Sequence, residues 1–363
     1  MTEREAMPQK RKTTSIVPTD ISPTELSSQL SLFQLNERQD ENYTQSIEIY
    51  DALPKHVSGQ TEFENLGDNT ILSRQCTIRN ETYTVKIRPA IIERTDKQTG
   101  QTKTILRYPS EREEMVEAVL RKLAVNGQIQ LIQSNTIGAG VVFTLYQLQK
   151  ELKRTGHSYN LTEIKESITV LAQSNLEIYN ESGSISLRSP FFPTQQLVDL
   201  KTIKANADAR CICQFHPLIT QSILELDFRH VNYQRMMTIR SQLARHMFKR
   251  MSHYWIQAST ENPYTYSLIN CLQQSPRGLS ARMSENIRAM KNVIQELIDK
   301  DVIVRAEQEV SKKGNSIIDV KIKLYPSNSF IRDQKRSNRI SKDRRLSTNL
   351  TGIDVDHVQE DEG

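Results

Sequence analysis

The chain has 363 residues, 37% of them apolar and 6% aromatic, enough for two or three domains but too polar to be core-forming throughout. Charge is segregated: residues 1–70 hold 6 Lys/Arg against 12 Asp/Glu, residues 71–332 hold 36 against 24, and residues 333–363 hold 6 against 7. No apolar run approaches the roughly 18–20 residues of a membrane span, and the opening MTEREAMPQKRKTTS lacks the apolar segment of a secretory signal, so a cytoplasmic, bacterial-type soluble chain without a membrane partner is expected.

A basic body between acidic flanks points to a polyanionic partner, with nucleic acid first among them. Four cysteines (Cys76, Cys211, Cys213, Cys271) in so long a chain do not make a disulfide framework. Residues 1–70 are rich in Ser, Thr, Gln, Asn and acid, and read as a disordered acidic leader with one short helix near Thr24–Leu35.

Order is expected from Ile71. Strand composition occurs at Cys76–Arg79 and Thr82–Ile92 around an Asn80-Glu81 turn, then at Thr104–Leu106 after a polar tip from Asp96 to Gln101. Ser110 with Glu113 makes a capping box for a helix to about Ala124. Gly140–Thr144 reads as a short strand running into a helix, Leu145 to Lys153. Asn160 with Glu163 is a second capping box, opening a helix to Gln173. Leu176–Tyr179 and Ser184–Leu187 then form two strands around Glu181-Ser182-Gly183.

The second half repeats this order. One long helix is expected from Tyr233 to about Ala258, with Met236, Leu243, Met247, Met251 and Tyr254 as its apolar stripe and Arg235, Arg240, Arg245, Lys249 and Arg250 on the rest. A helix with Tyr266, Leu268, Ile269 and Leu272 follows, then the turn Pro276–Ser280 and a helix from Arg282 to Ile298. In that last helix Met283, Ile287, Met290, Ile294 and Leu297 share one face. At 100° per residue, Ser284, Arg288, Lys291, Asn292 and Gln295 share the opposite one, where cations, amides and a hydroxyl suit phosphates and base edges. Strands at Val302–Val304 and Ile317–Leu324, joined through Ser311-Lys312-Lys313-Gly314-Asn315, complete the order of a winged helix-turn-helix. Residues 331–363, with a basic run and then an acidic one, are expected to be a disordered tail.

The expected fold is therefore α+β: two tandem winged helix-turn-helix domains, residues 71–200 and 201–330, between disordered tails. In the C-terminal domain Ser284, Arg288, Lys291 and Asn292 are the candidate major-groove contacts. Arg277, Ser280 and Arg282 at the helix start are placed to hold phosphates, and Lys312 and Lys313 to set the wing on the adjacent backbone. In the N-terminal domain His157, Ser158, Asn160, Thr162 and Lys165 occupy the equivalent face.

Catalytic chemistry finds no foothold. There is no GxxxxGK[ST], no paired metal-binding histidines, and Cys211-x-Cys213 lacks the C-x₂-C spacing of zinc sites, so no enzyme, metal or cofactor is expected. Glu111, Glu113 and Glu114 read as first-turn helix acids favoured by the dipole.

Two stretches carry a resemblance. Gly140-Val141-Val142-Phe143-Thr144-Leu145-Tyr146 through Ser174-Asn175-Leu176-Glu177-Ile178, and Met237 to Trp255 with Ser241-Gln242-Leu243-Ala244-Arg245 and Lys249-Arg250-Met251-Ser252-His253, resemble the theta-type plasmid replication initiators, the iteron-binding Rep and TrfA-like proteins. The resemblance covers about 71–330. It implies that each winged domain contacts half of a double-stranded origin repeat through its third helix. The C-terminal domain would be the stronger base reader, and the N-terminal one would mediate dimerisation. It also implies a homodimer in equilibrium with a monomer that opens the origin and recruits the host initiator and replicative helicase. The alternative is a winged-helix transcriptional repressor without initiator activity.

Overall fold

The computed structural model describes residues 22–34, 42–64, 70–79, 81–95, 99–133, 137–180 and 186–350, with side chains to Arg344. The expectations at residues 1–21, Asn80, Asp96–Gln98, Glu181-Ser182-Gly183 and 351–363 lie outside the described residues.

Helices and sheets are mixed, and two stretches of chain share one order of elements. In the first, helix Glu111–Leu123 is followed by strand Ile137–Thr144, helices Leu145–Arg154 and Leu161–Gln173, and strands Asn175–Asn180 and Ser186–Pro190. In the second, helix Gln242–Tyr254 is followed by strand Tyr264–Ser267, helices Leu268–Gln273 and Met283–Asp299, and strands Ile303–Lys313 and Ser316–Pro326. Each strand turns into its helix at a hydroxyl cap: Thr144 accepts from Gln147 N at 3.1 Å and Ser267 from Asn270 N at 3.3 Å. The capping boxes at Ser110/Glu113 and Asn160/Glu163 form as their spacing foretells.

The two stretches differ in where their strands pair. Tyr264–Ser267 pairs with the hairpin strand Ser316–Pro326, closing a three-stranded sheet. Ile137–Thr144 instead pairs with Ile129–Gln133 and Arg210–Gln214. Gly140 permits this pairing, because a Cβ there would lie 2.6 Å from the Cys213 carbonyl. The first hairpin joins Glu81–Arg88 and Leu72–Ile78 in a four-stranded sheet.

Three expectations are corrected. The leader is not wholly disordered: residues 22–34 and 42–64 are built into the molecule. The short helix expected near Thr24–Leu35 is present as Pro23–Phe33, which buries Leu26, Leu30 and Phe33 and packs on helix Pro217–Leu224, while Tyr43–Ser46, not expected to be ordered, pairs antiparallel with Arg229–Asn232. Of the acids that made this region look solvated, Glu48 accepts from Arg79 at 2.9 Å and Asp51 is paired inside the fold, as described below. Next, the single helix foreseen from Tyr233 to Ala258 is two, Tyr233–Thr238 and Gln242–Tyr254. Ser241 caps the second by accepting from Ala244 N, and the Arg240 and Ser241 amides freed at the break donate to the Glu296 carboxylate. Finally, the described part of the tail is helical, Asn328–Leu350, anchored by Phe330 between Phe248 and Trp255.

A buried ion network joins helices Glu111–Leu123 and Gln242–Tyr254 to residues 46–57. Arg245, fully buried, donates to Glu114 at 3.1 Å and to the Ile239 and Arg240 carbonyls, while Lys249 reaches Glu114 at 2.8 Å. Arg121 grips Asp51 at 2.6 and 3.0 Å, and His56 lies 3.2 Å from Glu117. Burial alone would raise these carboxyls. The Arg121 and Lys55 charges outweigh it at Asp51, and Arg245 and Lys249 at Glu114, so both sit well below the usual carboxylate range. Arg245 was expected off the apolar stripe of its helix, and it is fully buried there because helix Glu111–Leu123 covers it.

Candidate nucleic-acid interface

Helix Met283–Asp299 forms because its apolar residues recur at helical spacing. Met290, Val293, Ile294 and Leu297 are buried against the helices Gln242–Tyr254 and Leu268–Gln273 and the hairpin. Its other face is open. Ser284, Arg288, Lys291, Asn292 and Gln295 are all exposed, and the side chains of Ser284, Arg288, Lys291 and Asn292 make no hydrogen bond or ion pair within the described residues.

The acids of this helix are all engaged. Glu285 accepts from Ser280 Oγ at 2.6 Å and lies 3.5 Å from Arg282, Glu296 binds the Arg240 and Ser241 amides, and Asp299 accepts from Gln295 at 2.8 Å. The uncommitted side chains on this face are Ser284, Arg288, Lys291 and Asn292, while Asp299 at its C-terminal end keeps its charge against the neutral Gln295 amide.

The turn before the helix is held by a residue that sequence reading missed. Asn286 is 1% exposed. Its Oδ1 accepts from Arg277 Nη1 at 3.0 Å and from Ser280 N at 2.9 Å, and its Nδ2 donates to Ser280 O at 2.8 Å. An amide on the buried side of an amphipathic helix was the available signal. Gly278 allows the turn with φ 74°, in the left-handed region. Of the three residues assigned to phosphates, Arg277 and Ser280 fasten this turn, while Arg282 is exposed.

The hairpin is longer than its sequence pattern foretold, with 11 residues in each strand. Its base is fixed by Arg305 lying over the Tyr325 ring and by Tyr325 Oη donating to Glu307 at 2.9 Å. At its tip, Lys312 and Lys313 are exposed and unpaired among the described residues, beside Gly314 with φ 61°.

The corresponding helix of the first stretch, Leu161–Gln173, is presented differently. Hairpin Ala90–Thr95/Thr102–Arg107 lies on it, with Ala90, Ile92 and Ile105 packed on Val170. Arg94, Arg107 and Arg112 converge on its Glu166 at 3.1, 2.8 and 2.6 Å. His157 donates through Nε2 to Met237 O at 3.0 Å, Lys165 donates to Val198 O at 2.8 Å, and Asn160 caps the helix. Of the five residues singled out there, Ser158 and Thr162 are exposed and uncommitted among the described residues. The strands of this hairpin were legible in the sequence, but their placement over this helix was not.

An exposed cation-and-amide face, on a helix packed against a hairpin that carries two exposed lysines at its tip, is the geometry of a candidate duplex-binding surface. No family model matches the chain, and no curated protein matches it. Solved structures similar to the chain include these three. Two are crystal structures of RctB domains 2 and 3. One is 9% identical with a TM-score of 0.46, spanning 76% of this chain and 96% of that one. The other is 12% identical with a TM-score of 0.44, spanning 80% and 99%. The third is the Pi initiator protein in complex with iteron DNA, 12% identical with a TM-score of 0.39, spanning 60% and 96%.

Proposed function

We propose that the chain is a sequence-specific duplex DNA-binding protein that acts as a plasmid-type replication initiator. Its two repeated element orders are read as tandem winged helix-turn-helix units. The observation that carries the DNA reading is the outer face of helix Met283–Asp299, where Arg288, Lys291 and Asn292 stand free and every acid of the helix is engaged. Such a face offers a bidentate guanidinium for guanine, an amide for adenine and an ammonium for phosphate. The hairpin tip, with Lys312 and Lys313, supplies a backbone contact beside it. The first unit has its third helix covered, and is read as the weaker DNA contact and the site of self-association.

The initiator role rests on the sequence stretches Gly140–Ile178 and Met237–Trp255 that resemble iteron-binding initiators. On this reading the monomer binds direct repeats, promotes opening of an origin and recruits the host initiator and helicase, and carries out no covalent chemistry of its own. Selection from a random duplex pool should enrich one motif that recurs as direct repeats beside the gene. A plasmid bearing the gene and those repeats should then replicate autonomously. Enrichment of no motif refutes the DNA reading; enrichment without replication leaves a repressor.

A further inference from the structure

Over its described side chains, the C-terminal helix Asn328–Leu350 sets one group of cations against the body and leaves another outward, with Asp343 exposed beside the latter. Arg336 lies over the Tyr43 ring at 4.6 Å, and Arg344 lies over Phe228 at 3.9 Å and donates to its carbonyl at 2.9 Å. Asp333 accepts from Tyr43 Oη at 2.8 Å and from Arg235 at 3.0 Å. These residues fasten the helix to strand Arg229–Asn232 and its surroundings, with Gln334 and Asn338 accepting from Arg229 at 2.8 and 2.7 Å.

Arg332, Lys335, Arg339 and Lys342 are left outward, all exposed. Their spacing of three, four and three residues confines them to about 80° of arc at 100° per residue. At about 1.5 Å per residue the stripe is about 15 Å long. Arg332, Lys335 and Lys342 have no partner among the described residues, and Arg339 has only a long 3.8 Å contact with Asp343.

We infer that this stripe is a second DNA-contacting surface that grips the phosphate backbone without reading sequence. Duplex DNA carries about one charge per 1.7 Å of axis, so a straight row of cations on a rigid helix is complementary to it. A membrane surface fits less well. An interfacial helix needs a free apolar face, and here Phe330 is buried, while Ile331 and Ile340 are partly covered. The inference rests on the chain being a duplex binder but concerns residues remote in sequence from the reading helix.

The test is fluorescence anisotropy of the full chain on a random duplex, titrated with salt. Changing all four residues to Gln should lower the log–log salt slope by about 2 to 4. Random and selected duplexes should weaken by the same factor, leaving selectivity unchanged. Because these side chains are exposed, the circular dichroism melt should not move. Arg332→Lys/Arg339→Lys, which keeps the charge, should keep the slope. An unchanged slope in the Gln variant, with wild-type binding intact, overturns the stripe and spares the DNA reading. Absence of wild-type binding overturns both. Stripe-dependent binding to phosphatidylserine vesicles with an unchanged DNA slope assigns the stripe to membranes and likewise overturns the inference.

Discussion

Glu114→Gln should strongly destabilise the protein, for a reason that can be worked from contacts. The Glu114 carboxylate is almost wholly buried and accepts from Arg245 Nη2 at 3.1 Å, Arg245 Nε at 3.3 Å and Lys249 Nζ at 2.8 Å. Removing its charge leaves the Arg245 guanidinium, with no exposed surface, facing a neutral amide. Breaking a buried pair by removing one partner costs about 3–5 kcal/mol. Arg245 keeps Glu111 at 3.1 Å and two carbonyls, so the lower end, about 3 kcal/mol, is expected. Removing both charges is a different matter, because two desolvation penalties vanish together. Because Lys249 and the Ile239 and Arg240 carbonyls still lose their partner, Glu114→Leu/Arg245→Met should recover part of the loss and not all of it. Urea denaturation followed by far-ultraviolet circular dichroism measures both. A single variant that loses less than about 1 kcal/mol, or a double variant as unstable as the single, would show that the buried charges are not paired in this way.

Other expectations follow from named groups. Burial pushes His216 and His246 down to about 3 and His253 to about 4. An unfolded histidine titrates near 6.5, so the unfolded chain binds more protons below that pH. Stability should therefore be full above about pH 6.5 and fall with acidification toward pH 4, by about 1.4 kcal/mol per pH unit for each such histidine. The carboxylates held low, Asp51 and Glu114, lose their contribution only below their own unfolded values, so they steepen the loss under about pH 4.5. A urea midpoint unchanged between pH 7 and pH 5 contradicts this. Asn286→Ala should cost about 1–3 kcal/mol, because it orphans the Ser280 amide and carbonyl, and should loosen DNA binding through the turn; thermal melts and anisotropy measure the two effects. Gly140→Ala forces a methyl to within 2.6 Å of the Cys213 carbonyl and should cost about 1–3 kcal/mol, read as a lowered melting temperature.

What was legible in the sequence was local. The helix Met283–Asp299 lies within one residue of its expected bounds because apolar periodicity is set within the segment. The caps at Ser110 and Asn160 were readable because a side chain answers its own backbone three residues on. The failures share a non-local cause. Asp51 looked like a solvent acid until Arg121, seventy positions away, met it. Ser241 sits in an apolar pattern that a continuous helix satisfies equally well; the break shows only once Glu296 is there to take the freed amides. His157 and Lys165 had the right chemistry for DNA, yet the Met237 and Val198 carbonyls hold them. In the tail, charge density suggested disorder, whereas Phe330 and the inward arginines anchor a helix.

The central claim is that helix Met283–Asp299 reads base edges while the hairpin tip only holds the backbone. The direct measurement is the affinity of Arg288→Ala and Lys312→Ala proteins for the selected duplex and for a random one across a salt series. Arg288→Ala should cost about 1–3 kcal/mol on the selected duplex and much less on the random one, collapsing selectivity. Lys312→Ala should weaken both alike and lower the salt slope by about one. An Arg288→Ala protein that keeps wild-type affinity and selectivity would contradict the account.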